Sequence, residues 1–361
     1  MFERLWKKFL RHQPLSLWSI LTPFIWIISV GYRITSWCYR VWPRTVTQAS
    51  VPVISVGNIS VGGTGKTPVV KLLARLFLDD GFRVGIVSSG WERQSDTPIM
   101  EPGYKVSKLA VELTGDEVKL LATLLPEAIF SVARSKATAA RCLSDSGDVD
   151  LIIVDDGFQH YHLARDVDIV TYDAAVKRRN LKAFPLGILR EPLTSLKRAD
   201  VILITRTKFA EDITQLRKKL SLIHSGAKIY NAQFYAPELV GRERRYQVKY
   251  MSDKSVFLFA GIGNFEPLRK QVDALAGDLD CALELSDHQE YSMKVLQHIK
   301  RQAEKYNSDI IVTTGKDWVK LGNFDFGRGI YYLAQSVDLD PGEEKFAASL
   351  QKKLNLQKRN D

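Results

Sequence analysis

The chain has 361 residues, 45% of them hydrophobic and 25% charged, with 51 Lys and Arg against 41 Asp and Glu for a formal charge of +10. That length exceeds the ~100–200 residues usual in one domain, and the balance excludes both wholesale disorder and a bundle of membrane spans. Three cysteines, Cys38, Cys142 and Cys281, lie far apart without CxxC or Cys/His spacing, which argues for a reducing compartment and against a structural zinc.

The first predicted element is the apolar run 15–30, rich in Leu, Ile and Trp but interrupted by Ser16, Ser19, Thr22 and Pro23. It is short of the ~20 apolar residues that cross a bilayer. Seven basic residues against the single acid Glu3 put a net +6 in the first fifty positions, flanking the run on both sides, whereas a spanning helix normally shows the excess on one. Gly31-Tyr32-Arg33 is a poor small-residue cleavage site for a secretory signal. The segment reads as an in-plane or shallow anchor, with Trp6, Trp18, Trp26, Trp37 and Trp42 suited to the headgroup boundary. A helix packed on the protein body is the alternative. Nucleic acid is disfavoured, because the basic excess sits beside Trp and Ile rather than along a polar face.

From residue 51 the pattern changes to short buried strands, at 51–56, 83–87, 151–154, 167–171 and 201–205, alternating with helices at 67–80, 117–125 and 137–143. Such alternation implies an α/β fold with a parallel sheet covered on both faces. A second set follows: strand 255–260, helix 265–275, strand 281–285, helix 292–306, strand 309–313 and a late strand 330–333. Between the sets, 242–250 is charged and polar, a hinge ribbon. The expected organisation is a membrane-associated segment 1–45, a P-loop domain 46–240, a ribbon 241–250 and a second, smaller α/β domain 251–361.

Gly57-Asn58-Ile59-Ser60-Val61-Gly62-Gly63-Thr64-Gly65-Lys66-Thr67 follows a predicted strand and opens a predicted helix, the context a phosphate loop needs. On that reading Gly62, Gly63, Thr64 and Gly65 would turn backbone N–H groups toward the phosphates of ATP, Lys66 would reach the β- and γ-phosphates, and Thr67 would hold Mg²⁺; a glycine-rich turn with no ligand is the plainer alternative. The strict pattern wants glycine where Ser60 stands, so Gly62 and Gly63 supply the flexibility. Some 90 residues on, the buried run 151–154 ends in Asp155 and Asp156, carboxylates placed where a P-loop protein binds magnesium, although aspartates after a strand also serve simply as turn formers.

The run continues Gly157-Phe158-Gln159-His160, and here the chain resembles tetraacyldisaccharide 4′-kinase, the lipid A 4′-kinase of Gram-negative bacteria. Gly115-Asp116-Glu117, Leu186 to Pro192, Arg198-Ala199-Asp200, Ala260 to Asn264, Asp287-His288 and Thr313-Thr314-Gly315-Lys316-Asp317 support the likeness in the same order, over about residues 10–320. The resemblance implies two α/β/α domains joined by a β-ribbon, and an N-terminal helix that meets the membrane. It also implies transfer of the ATP γ-phosphate to the 4′-hydroxyl of a tetraacylated, 1-phosphorylated glucosamine disaccharide at the cytoplasmic face of the bacterial inner membrane. The chain departs from the family pattern at Ser89-Gly90-Trp91-Glu92, where Arg-Gly-Tyr-Gly is usual, and at Val118, Gln289 and Gly315.

The resemblance pairs Asp116 with His288 as the base for the acceptor hydroxyl, a poor nucleophile that must lose its proton. Each has a plainer reading: Asp116 as a helix N-cap and His288 as a surface-loop residue. Glu117 is assigned to the reacting hydroxyl or its metal, or is a first-turn acid favoured by the helix dipole. Arg134 and Arg190 are candidates for gripping phosphate charge or for surface ion pairs. Glu191 orients Arg190 or a metal-bound water, and His160 approaches nucleotide or lipid phosphate or serves structurally. A membrane-associated ATPase of the protein-partitioning type is the rival reading. It shares the phosphate loop but needs no acceptor-side base.

Overall fold

The computed structural model describes residues 46–184 and 187–357, together with Gly31. Apart from Gly31, the expected membrane segment 1–45 lies outside the described residues, and among these no helix is long and apolar enough to cross a membrane.

Chain order runs β1 (Val53–Asn58), α1 (Lys66–Asp79), β2 (Val84–Ser88), β3 (Ile99–Pro102), α2 (Asp116–Leu124), β4 (Ile129–Val132), α3 (Lys136–Asp145), β5 (Leu151–Asp155), β6 (Val167–Asp173), β7 (Val201–Thr205), α4 (Ile213–Ile223) and β8 (Lys228–Val240). There follow β9 (Arg245–Gln247), β10 (Ser255–Ala260), α5 (Phe265–Asp273), β11 (Asp278–Glu284), α6 (Met293–Lys305), β12 (Ile310–Thr314), β13 (Gly329–Asp340) and α7 (Glu343–Leu354). Short helical turns, including Gly315–Trp318, complete the described chain.

Among the described residues the strands form one mixed, mostly parallel sheet, ordered β11-β10-β12-β13-β8-β7-β6-β1-β5-β2-β4-β3, with β9 on β8. Every residue of β1, β2, β5, β6 and β7 is buried, as parallel strands covered on both faces require. β1 lies between β5 and β6, where the strand order changes direction. Open α/β sheets bind ligands beyond the strand ends at such a point. α1 buries Val69, Val70, Leu73, Ala74 and Phe77, a stripe at helical spacing that packs with Ile54, Val56 and Ile153. This fixes the helix start, and therefore Lys66, at the end of β1.

The two groups of strands meet at β8 and β13, an antiparallel pair that belongs to both. The sequence pattern shows no strand at 228–240 and only 330–333 of β13. Pro237 interrupts the first and Gln335-Ser336 the apolar run of the second. The pairing skips register between Ala334 and Ser336, opposite Pro237, so the residue without an N–H sits in a bulge where no ladder bond is needed. Residues 241–250 carry β9, which folds back on β8. Phe346, Leu350 and Leu354 of α7 pack into the same core as α1, so the end of the chain returns to the phosphate-loop half.

Candidate active site

The phosphate loop is held from several sides before any ligand arrives. Asn58 Nδ2 donates to Thr64 Oγ1 (2.9 Å), and the Thr64 and Thr171 hydroxyls share a hydrogen bond of 2.7 Å. Val61 N–H donates to Ile188 O (2.6 Å) and Arg190 N–H to Ile59 O (2.7 Å), so the segment preceding Glu191 clamps the loop. Gly65 caps α1 at φ +86°, and a side chain there would collide with the Phe234 ring of β8. Only glycine meets both demands. Gly62 and Gly63 are exposed, while Lys66 and Thr67 open α1 half-buried.

Lys66 Nζ lies 3.5 Å from Asp156 Oδ1, and Arg190 donates to Asp156 Oδ2 at 2.9 Å. Asp156 is thus held between two cations that outweigh its burial and keep its carboxyl well below the usual range. Asp155, at the end of β5, is different. Its Oδ1 is buried with no hydrogen-bond partner among the described residues, and burial, with the charge of Glu117 second, lifts its pKa to about 6. A carboxylate aimed beside the phosphate loop with an unfilled lone pair suits a cation bound there together with phosphate oxygens. Beneath it, the buried Lys136 donates to Asp155 O (2.6 Å) and Asp156 O (2.8 Å), fixing the backbone that presents both carboxylates. Sequence reasoning missed Lys136, because a lysine opening a helix looks like an ordinary surface residue.

On the face of the sheet that it shares with α1, α2 presents Asp116 and Glu117. Gly115, at φ +83°, caps the helix where a side chain would strike Trp91 O, so the loop after β2 packs directly against this end. Asp116 Oδ1 accepts from Glu117 N–H (2.8 Å); its Oδ2 lies 3.2 Å from Lys320 Nζ and 3.3 Å from His288 Nδ1. Burial alone would raise its pKa, but His288 and Lys320 outweigh burial and hold it far below the usual range. His288 shifts upward, chiefly through Asp116. Lys316 donates to Glu117, which ties the short helix Gly315–Trp318 to α2. Lys316 and Lys320 also escaped sequence reasoning, since their partners lie some two hundred positions away.

The remaining candidates separate. Glu191 is fully buried and binds Arg198 (2.9 and 3.1 Å) and Tyr161 (2.9 Å), so its oxygens orient these side chains rather than Arg190. Arg134 is 82% exposed and pairs with Asp96 at 2.7 Å. His160 is half-buried; burial, with Lys136 second, lowers its pKa to about 4, so the ring is neutral near pH 7. It lines an open cavity of about 440 Å³ with Arg134, Lys136 and His162. Among the described residues no group of three or more His, Cys, Asp or Glu side chains forms a ready-made metal cage.

The profile of the family described as tetraacyldisaccharide-1-P 4′-kinase matches residues 17–355. The tetraacyldisaccharide 4′-kinase of Desulfotalea psychrophila is 35% identical over 76% of this chain and 79% of its own length. That of Geobacter metallireducens is 33% identical over 85% and 91%, and that of Chlorobium phaeovibrioides 30% identical over 94% and 98%. Among solved structures, LpxK from Aquifex aeolicus in complex with ATP superposes with a TM-score of 0.75 at 28% identity, covering 94% of this chain and 99% of that one.

Proposed function

The chain belongs to the tetraacyldisaccharide-1-P 4′-kinase family and is an ATP-dependent kinase of lipid A biosynthesis, and from that premise we propose how its own residues carry the reaction. The phosphate loop binds the ATP phosphates, with Lys66 positioned by Asp156, itself fixed by Arg190. Thr67 and Asp155 are the residues that would hold Mg²⁺. When bound, that ion supplies charge neutralisation to the β- and γ-phosphates.

On the acceptor side, Asp116 takes the proton of the 4′-hydroxyl as its oxygen bonds the γ-phosphorus and ADP leaves. His288 orients the carboxylate. Asp116 is a weak base, held ionised by its cationic neighbours, yet a weak base suffices where the transition state is loose, because little bonding to phosphorus has formed and the hydroxyl proton leaves late. The observation that supports the reading best is the juxtaposition of the two clusters. The helix that opens with Lys66 and Thr67 and the helix that opens with Asp116 and Glu117 pack into one core, through Val69 and Leu73 of α1 and Val118, Leu121 and Ala122 of α2, and the reading puts nucleotide and acceptor groups on the two sides of one cleft. A partitioning-type ATPase would have no use for the Asp116–His288 pair.

The acceptor is an acylated glucosamine disaccharide 1-phosphate, and the basic, Trp-rich residues 1–45 bring the enzyme to the cytoplasmic face of the inner membrane that carries it. The test incubates purified protein with ATP radiolabelled at the γ-phosphate, Mg²⁺ and the acylated disaccharide in detergent, followed by thin-layer separation. Label moves to lipid if the reading holds; unlabelled lipid with continuing ATP turnover contradicts it.

A further inference from the structure

The acceptor pair has a third member. Glu92, in the loop after β2, places Oε2 2.8 Å from His288 Nδ1, nearer than Asp116 Oδ2 at 3.3 Å. Neither carboxylate is aligned with the ring N–H as a formed hydrogen bond, so one donor stands between two acceptors. From these positions, and resting on the reading above, we infer that Glu92 is a positioning residue for the acceptor base, holding the His288 ring by an ion pair at Nδ1 and leaving Asp116 free to turn to the hydroxyl.

The backbone supports the assignment. Glu92 has φ +65°, a left-handed conformation uncommon for residues other than glycine, asparagine, aspartate and histidine; His288, at φ +54°, belongs to the types that tolerate it. Backbone strain of the kind held at Glu92 clusters at functional sites, and here it sits where Glu92 meets His288. The loop is also fixed in place: Arg93 N–H donates to Gly90 O (3.0 Å) and Gln94 N–H to Glu112 O (2.7 Å). An isolated, half-exposed pair of this kind would contribute little. Here the surroundings differ. His288 faces Asp116 from α2, Glu92 from the β2 loop and its neighbour Asp287, whose Oδ1 is 3.9 Å from Nε2. Lys320 and Lys316 stand behind Asp116 and Glu117. Three carboxylates around one imidazole favour its protonated form.

The experiment follows the His288 Cε1–Hε1 NMR signal through a pH titration, assigned with His288→Gln, in the wild-type chain and in Glu92→Gln. Steady-state kinetics on the acylated disaccharide run in parallel. In Glu92→Gln the His288 midpoint should move to lower pH, and the alkaline limb of kcat/KM should move with it. Turnover should fall roughly 3–30-fold, a fraction of the ~10²–10⁴ that a positioned base supplies, with KM for ATP unchanged. Glu92→Asp should restore part of the loss. Glu92→Gly, which suits the left-handed backbone, should keep or raise Tm while turnover falls. An unmoved His288 titration in Glu92→Gln overturns the inference, whether activity is retained or falls together with Tm. If the wild type phosphorylates no lipid, the kinase reading fails, and the titration still decides the Glu92–His288 contact.

Discussion

The two sides of the cleft are built by opposite rules. On the nucleotide side the chemistry is carried by contiguous segments: residues 57–67 and 188–191 lock through backbone hydrogen bonds such as Val61 N–H to Ile188 O, and 155–160 join them where Gln159 Nε2 donates to Asn58 O (2.8 Å). On the acceptor side, single residues from the β2 loop, α2, the loop before α6 and the region around Gly315–Trp318 converge on Asp116 through side-chain charge. Backbone-built sites keep their geometry when one side chain is lost. Charge-built sites change protonation instead.

That contrast orders the expected effects. Lys66→Ala removes charge stabilisation at the transferred phosphoryl group and should lower turnover by ~10³-fold or more with Tm little changed. Near-normal turnover would mean the nucleotide side has been misassigned. Asp155→Asn should be almost as damaging to turnover, but it replaces a buried, unpaired carboxylate with a neutral amide. The ligand-free protein should therefore hold or gain Tm, while the Tm gain on adding Mg²⁺ and ATP shrinks. Loss of apo stability would contradict the assigned environment.

Lys320→Met sharpens the other side. It leaves the buried Asp116 carboxylate short of a cation, at a cost of about 3 kcal/mol by urea unfolding, and Asp116 rises toward the ordinary carboxylate range. The sign follows from linkage. A depressed carboxyl pKa stabilises the fold above its unfolded value and loses that contribution as pH falls through the folded value, so in the variant the acid-side loss of stability should shrink while the acid limb of activity moves to higher pH. An unshifted limb would remove Lys320 from the cluster. The smallest effect concerns His288, whose pKa is raised in the fold. Its contribution to stability is complete below ~6.5 and fades as pH rises through the folded value, a loss that should vanish in His288→Gln.

The same contrast explains what the sequence reveals. β7 at Val201–Thr205 and β10 at Ser255–Ala260 are readable to the residue, because continuous apolar runs bounded by polar residues have one solution in a covered sheet. β8 is not, since Pro237 argues against a strand until its bulge partner in β13 is known. In the site, Lys66, Thr67, Asp155 and Asp156 declare themselves by spacing. Asp116 and His288 emerge only through resemblance, and Lys136, Lys316, Lys320 and Glu92 through neither. Their meaning lies in distant partners, such as Glu117 for Lys316, 199 positions away, and no local pattern encodes such a pair.

The central claim is that Asp116 and His288 form one unit on the acceptor side of the cleft. A double-mutant cycle tests it most directly, comparing Asp116→Ala, His288→Ala and the double variant by the rate of γ-phosphate transfer to the acylated disaccharide at saturating ATP. The account predicts losses of ~10²–10⁴-fold in each single variant, a double variant little worse than the poorer single, and unchanged affinity for ATP. Fully multiplicative losses, or normal turnover in His288→Ala, would contradict it.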